Sequence, residues 1–213
     1  MKYLSLFTGI GGFELGIQYA YTRLAQQGGQ ADTLSGRQET LNSTGVGDTQ
    51  DERTVHGTNP TEPICIGYSE IDKYACSIYQ RHFPGHHNYG DITLINEKEL
   101  PEFDLLVGGV PCQSWSIAGK RGGFEDERGN MWFQYAKILR AKQPKYFVAE
   151  NVKGLLSHDG GKSMERICEE LCDCGYAIDF EVLNSKNHGV PQNRERVIII
   201  GVRLDLLDEC QVF

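Results

Sequence analysis

An apolar run that breaks into paired glycines, a proline and a cysteine, Phe103 to Cys112, constrains the fold of this chain more than any other stretch. Phe103 to Gly108 reads as a short buried strand. Gly108 and Gly109 permit a sharp turn at its carboxyl end, and Pro111 fixes φ and withdraws a ladder donor. Cys112 is then held on a stiff turn just beyond a strand's carboxyl end, where open α/β sheets keep their sites. Small, polar and basic residues follow: Gln113, Ser114, Ser116, Gly119, Lys120 and Arg121, with Trp115 among them. Such a loop can move and can meet phosphates. Taken alone, the run suits a buried structural cysteine as well as a reactive one.

The rest of the chain repeats the same grammar of strand, turn and helix. Residues 2–7 read as the first strand, followed by Phe7-Thr8-Gly9-Ile10-Gly11-Gly12-Phe13 and a helix from about Glu14 to Ala25. Strand, glycine turn and helix form the entry to a nucleotide-type fold. The dinucleotide fingerprint is incomplete, because Glu14 stands where its third glycine falls. Pro63 to Tyr68 is a second strand, ending in Ser69-Glu70-Ile71-Asp72, with a helix over 73–82. An acid at that strand end can hold ribose hydroxyls, and Asp72 suits the helix N-cap. Tyr89-Gly90-Asp91-Ile92-Thr93 puts another acid after a short third strand. Helices are expected over 129–141 and 162–173, and a strand over 146–149 that ends in Glu150-Asn151-Val152. Strands over 176–183 and 196–202, joined by a short loop, favour an antiparallel edge pair. The expectation is one α/β domain over 1–213, a Rossmann-like doubly wound sheet of seven mostly parallel strands with an antiparallel edge hairpin. Its expected core takes Leu4, Leu6, Ile66, Leu105, Leu106, Val148, Ile198 and Ile200.

Residues 26–62 change character. They are rich in Gly, Gln, Thr, Ser and Asp and show no apolar period, so a disordered surface insertion is expected there. His82, His86 and His87 match no zinc spacing and read as surface residues. Cys168 and Cys172 lie at i,i+4 beside Met164, Ile167 and Leu171, and packing accounts for them and Cys174 better than metal. No metal site is expected.

At 213 residues the chain can bury a substantial core. It contains no apolar run of roughly eighteen residues, the length of a membrane span. Its seven cysteines are odd in number and irregularly spaced, which fits a reducing, cytoplasmic setting. A net charge of -8 argues against autonomous, non-specific binding to nucleic acid. Locally the balance shifts: Lys120, Arg121, Arg128, Lys137 and Arg140 face Glu125, Asp126 and Glu127 between Cys112 and Arg140.

Three strand ends therefore carry reactive groups: Cys112, Glu150, and Arg194 with Arg196. A thiolate, a carboxyl and a guanidinium around one pocket suit covalent catalysis on a pyrimidine. A thiolate adding at carbon 6 of cytosine turns carbon 5 into a nucleophile, provided that N3 is hydrogen-bonded or protonated. Carbon 5 can then take a methyl group from a sulfonium donor.

With these motifs in order, the chain resembles the cytosine-C5 DNA methyltransferases across nearly its whole length outside residues 26–62. Phe7 to Phe13 looks like the family's cofactor turn and Gly109-Val110-Pro111-Cys112-Gln113 like its nucleophile motif. Glu150-Asn151-Val152 is similar to its ENV motif and Gln192-Asn193-Arg194-Glu195-Arg196 to its QxRxR motif. The resemblance implies Cys112 as nucleophile, Glu150 at N3, and Arg194 and Arg196 steadying the carboxylate, base or phosphate. It places S-adenosylmethionine against Phe7, Thr8, Gly9, Ile10, Gly11, Gly12 and Phe13, with Glu70 on the ribose. Ile71, Asp91 and Ile92 would meet the adenine, with Gly109 and Pro111 beside the cofactor. Gln113, Ser116, Lys120, Arg121 and Arg128 would act on double-stranded DNA, in a loop closing over a flipped-out cytosine.

The family usually has a short connection where residues 26–62 lie, and it continues past this point into a target-recognition region and two further motifs. The expectation is thus the catalytic portion of a DNA methyltransferase of the restriction-modification kind, with the target-recognition region supplied by a second polypeptide or lost. An RNA cytosine-5 methyltransferase and an inactive binding or assembly module of the same fold are the alternatives.

Overall fold

The computed structural model describes residues 1–35, 62–111 and 131–207. The chain runs β1 (Lys2–Leu6), α1 (Gly12–Ser35), β2 (Ile64–Ser69), α2 (Lys73–His82), β3 (Leu105–Gly109) and α3 (Met131–Lys142). It continues through β4 (Tyr146–Val152), α4 (Lys162–Asp173), β5 (Tyr176–Asn184) and β6 (Glu195–Arg203). The strands form one sheet in the order β2-β1-β3-β4-β6-β5. β2, β1, β3 and β4 are mutually parallel, while β6 runs antiparallel to both β4 and β5. The strand order reverses between β1 and β3, and crevices at such a switch point lie outside the carboxyl ends of the strands.

The two faces are covered unequally. On one, Leu4, Leu6, Leu106, Phe147, Ala149, Val197 and Ile199 pack against Trp132, Tyr135 and Leu139 of α3 and Met164, Ile167 and Leu171 of α4. Each such side chain contributes roughly 1.5–3 kcal/mol by leaving water, and a truncation such as Leu139→Ala costs about 2–5 kcal/mol. On the other, Tyr3, Leu105 and Val107 meet Phe13 and Ile17 of α1.

The structure corrects several expectations. The described sheet has six strands, not seven. The strand expected at Tyr89 is a single bridge between Tyr68 and Asn88. Gly90 turns the chain there with φ of 72°, and the Asp91 carboxylate then accepts from its own turn at Thr93 N, 2.9 Å. In β6 the buried residues are Val197, Ile199 and Gly201, with Ile200 46% exposed, the reverse of the expected parity. A strand reading Val-Ile-Ile-Ile carries no alternation from which to choose a face. α1 runs ten residues past its expected end, to Ser35, so the disordered insertion cannot begin at residue 26. Extending a formed helix is easy once it is nucleated, and α1 continues through Gly28 and Gly29 despite their weak helix propensity. Residues 36–61 lie outside the described residues.

His86 is no free surface residue. Its Nδ1 lies 2.9 Å from the Tyr79 hydroxyl, and its ring stacks on Phe83. Cys174 is buried with its Sγ on the Glu170 carbonyl, and burial pushes its thiol up to about 11. Cys168 packs against the same core, while Cys172 is exposed. Among the described residues no helix is long and apolar enough to cross a membrane.

Candidate active site

Two clusters occupy the carboxyl edge of the parallel strands. The first surrounds the turn after β1. Phe7 holds φ of 52°, a sparsely populated region for a bulky residue. The buried Thr8 hydroxyl stands 3.1 Å from Ser5 Oγ, and the Thr8 carbonyl accepts from Gly11 N at 3.1 Å. Gly9 has φ of 58°, and a Cβ there would meet no atom within 4 Å, so the turn fronts open space. Gly11 differs: at φ of 97° its missing Cβ would lie 2.6 Å from Phe83 Cε2, so α2 abuts the turn directly. Ile10 is 59% exposed at the tip.

Glu70, immediately after β2, faces this turn. Its Oε2 accepts from Gly9 N at 2.8 Å, and its Oε1 accepts from Ile71 N and Asp72 N, each at 2.9 Å. A carboxylate offers about four acceptor positions, which leaves one on Oε2. Asp72 is the N-cap of α2, accepting from Tyr74 N and Ala75 N. Ile71 stands 74% exposed beside the carboxylate, an apolar surface with nothing packed over most of it. Ile92 is different from the expectation drawn by resemblance: it is buried in the core, only 5% exposed. Asp91 caps its own turn through Oδ1, accepting from Thr93 N and Thr93 Oγ1.

The second cluster lies where β3, β4 and β6 meet. Gly109 pairs with Glu150, and Glu150 pairs in turn with Ile198 of β6. Arg196 is opposite Val152, two residues along from that pair. The period of two puts Glu150 and Arg196 on one face, and Arg196 Nε lies 2.7 Å from Glu150 Oε1. Arg194 stands farther off, 4.0 Å from the same oxygen. Lys153 and Glu195 pair at the rim at 3.0 Å.

Asn151 connects this cluster to the run Gly109-Val110-Pro111. Its buried side chain donates from Nδ2 to the Val110 carbonyl at 3.0 Å. That bond fixes the chain just before Pro111. Cys112, Gln113, Ser116, Lys120, Arg121 and Arg128 lie outside the described residues, so the site is defined up to Pro111.

Sequence reasoning passed over Asn151 as a working residue, although an Asn buried in a strand is itself unusual. It also missed Glu14, read only as a failed glycine. Glu14 is fully buried, accepts from the Tyr79 hydroxyl at 3.1 Å, and burial raises its pKa. Its Oε2 has no hydrogen-bond partner among the described residues.

A glycine turn after β1, an acid after β2, and a parallel sheet in which β6 alone is reversed define a Rossmann-like methyltransferase fold. A solved variant of DNMT2 from Spodoptera frugiperda shares it, with a TM-score of 0.63 over 97% of this chain and 51% of that one, at 20% identity. The model of the C-5 cytosine-specific DNA methylase family matches residues 54–211, and the chain belongs to that family. The orphan methyltransferase M.Rho11sI of Bacillus phage rho11s is 56% identical over 147 residues, 67% of this chain and 29% of that protein. The type II methyltransferase M.BsuFI of Bacillus subtilis is 37% identical over 206 residues, 97% of this chain and 40% of its own length. The chain thus spans well under half the length of these relatives.

Proposed function

We propose that this chain is the catalytic and cofactor-binding portion of a DNA cytosine-5 methyltransferase. The observation that carries the proposal is the Glu150–Arg196 pair, set against Gly109 at the mouth of the run leading to Cys112. Cys112 adds as a thiolate to carbon 6 of a flipped-out cytosine, while Glu150 hydrogen-bonds or protonates N3. The electron pair reaches carbon 5, which takes the methyl group. Loss of the carbon 5 proton to a base and expulsion of the thiolate then restore the ring. Arg196 holds the Glu150 carboxylate in place for this, and Arg194 serves the base or a phosphate.

S-adenosylmethionine fits the first cluster on the residues present. Open space fronts Gly9, the Glu70 carboxylate keeps one acceptor position for a ribose hydroxyl, and Ile71 offers an apolar face to adenine. The amino end of α1 favours a carboxylate. When bound, the cofactor supplies a methyl group on a sulfonium. Gln113, Ser116, Lys120, Arg121 and Arg128 are assigned to DNA.

A second polypeptide carrying the target-recognition region completes the enzyme in this reading. Ile10, Leu15 and Tyr19, exposed around the start of α1, are apolar surface that such a polypeptide would cover. The relatives named type II and orphan methyltransferases suggest a restriction-modification setting. The cytoplasm, where the Cys112 thiol stays reduced, suits the chemistry.

The test is covalent trapping on DNA containing 5-fluorocytosine, with S-adenosylmethionine and such a polypeptide supplied. Fluorine cannot leave as the proton does, so elimination stalls and a stable adduct is expected. An adduct that persists in Cys112→Ala would remove the assignment, and trapping on RNA in preference to DNA would redirect it.

A further inference from the structure

We infer that Asn88 is a positioning residue for the cofactor site, setting Glu70 by holding both of its main-chain groups. The inference rests on Glu70 being the ribose acid and goes beyond it. Asn88 Oδ1 accepts from Glu70 N at 3.3 Å and from Gly90 N at 2.9 Å. Its Nδ2 donates to the Glu70 carbonyl at 3.1 Å and approaches Cys76 Sγ at 3.4 Å. The orientation of the amide follows from these partners: the oxygen meets two N–H groups and the nitrogen meets a carbonyl and a sulfur.

One side chain thereby fixes the peptide units on both sides of the Glu70 Cα, and through them the direction in which the carboxylate leaves the main chain. It also ties the turn after β2 to the turn at Gly90, a tie reinforced by Ser69 Oγ donating to the Gly90 carbonyl at 2.7 Å. Asn88 itself is half-buried, and its four bonds go to Glu70, Gly90 and Cys76. Glu70 in turn caps the Gly9 amide. The most direct path from Asn88 to the cofactor turn therefore runs through Glu70. Amides of this kind satisfy main-chain groups that no strand or helix pairs.

The experiment is calorimetric titration of the full chain with S-adenosylmethionine, using wild type, Asn88→Ala, Glu70→Ala and the double variant. Each is paired with a melting curve. Asn88→Ala should weaken binding about tenfold, the loss of two or so hydrogen bonds. In the Glu70→Ala background the same change should cost less than about twofold, because the carboxylate that Asn88 sets is gone. Equal losses in both backgrounds would reduce Asn88 to general structure and overturn the inference, as would unchanged binding in Asn88→Ala. If Glu70→Ala binds like wild type, or wild type shows no binding, the cofactor reading of Glu70 fails, and this inference with it.

Asn88→Asp keeps the acceptor oxygen and loses the donor, and covers the case in which Asn88→Ala does not fold. Without any cofactor, hydrogen exchange at the Gly9 amide should quicken in Asn88→Asp, although Asn88 does not touch Gly9. Exchange at Gly9 as slow as in wild type would show that the carboxylate had not moved, and would overturn the inference.

Discussion

Arg196 meets Glu150 through Nε at 2.7 Å with both side chains about three-quarters covered, whereas Arg194 lies 4.0 Å from the same carboxylate and half exposed. A close, sheltered pair fixes geometry, and an exposed distant one is weakened by solvent. Arg196→Ala should therefore slow single-turnover methyl transfer by about 100-fold, the scale of losing one preorganised group. Arg194→Ala should cost less than about tenfold. Arg196→Lys should rescue little, since an ammonium cannot reproduce the Nε contact. Equal losses at the two arginines would show that charge alone matters there.

Asn151→Ala should destabilise the fold by about 1–3 kcal/mol, because it leaves the buried Val110 carbonyl without its donor. Chemical denaturation measures this directly. The same variant should slow 5-fluorocytosine trapping, since Val110 anchors the run into Cys112. Full stability together with normal trapping would show that the bond is dispensable.

Gly11→Ala combines a φ of 97° with a Cβ placed 2.6 Å from the Phe83 ring. The ring must shift and the backbone is strained, at a cost of about 1–3 kcal/mol. Cofactor binding should fall along with the melting temperature. In Phe83→Leu, which frees part of that space, Gly11→Ala should be milder. If it is not, backbone strain rather than the ring is the cause.

The Glu14 carboxyl, buried against Tyr79, has its pKa raised by burial. A group raised in the folded state contributes stability that is whole below its unfolded value, about 4.3. That stability is lost as pH climbs through the folded value. Glu14→Gln removes this dependence, so the variant should gain in melting temperature relative to wild type as pH rises from that point. Thermal melts across the acid-to-neutral range check the trend. A difference that stays flat with pH would mean that the fold does not raise the Glu14 pKa.

Much of this architecture could be read in the residues because local chemistry specified it. The helix over 162–173 alternates apolar and charged residues at helical spacing and is observed as Lys162–Asp173. Asp72 before Lys73 signalled the start of α2. Glu150, Arg194 and Arg196 were picked out by their place at strand ends, and the sheet brings them to one point. What escaped depends on partners distant in sequence. Nothing local to Glu14 reveals that Tyr79, 65 residues on, will bury it. Asn88 looks like any turn asparagine until Glu70 lies across it. The Val197–Ile200 run hid its parity because every position is apolar, and α1 outran its apolar stripe through Gly28 and Gly29, which no local preference announces.

The reversed direction of β6 decides how the second cluster is supplied. Phe7, Glu70 and Pro111 are departures, residues met as the chain leaves a strand, while Arg194 and Arg196 belong to an arrival. Had β6 run with its neighbours, its first residues would lie at the opposite edge, roughly 30 Å away for nine residues at about 3.3 Å each. The arginines therefore take their position from the turn between β5 and β6, independently of the turns that shape the cofactor side. An insertion or deletion of one residue within β6 itself would rotate Arg196 off the face that carries Glu150 and leave the Gly9 turn untouched.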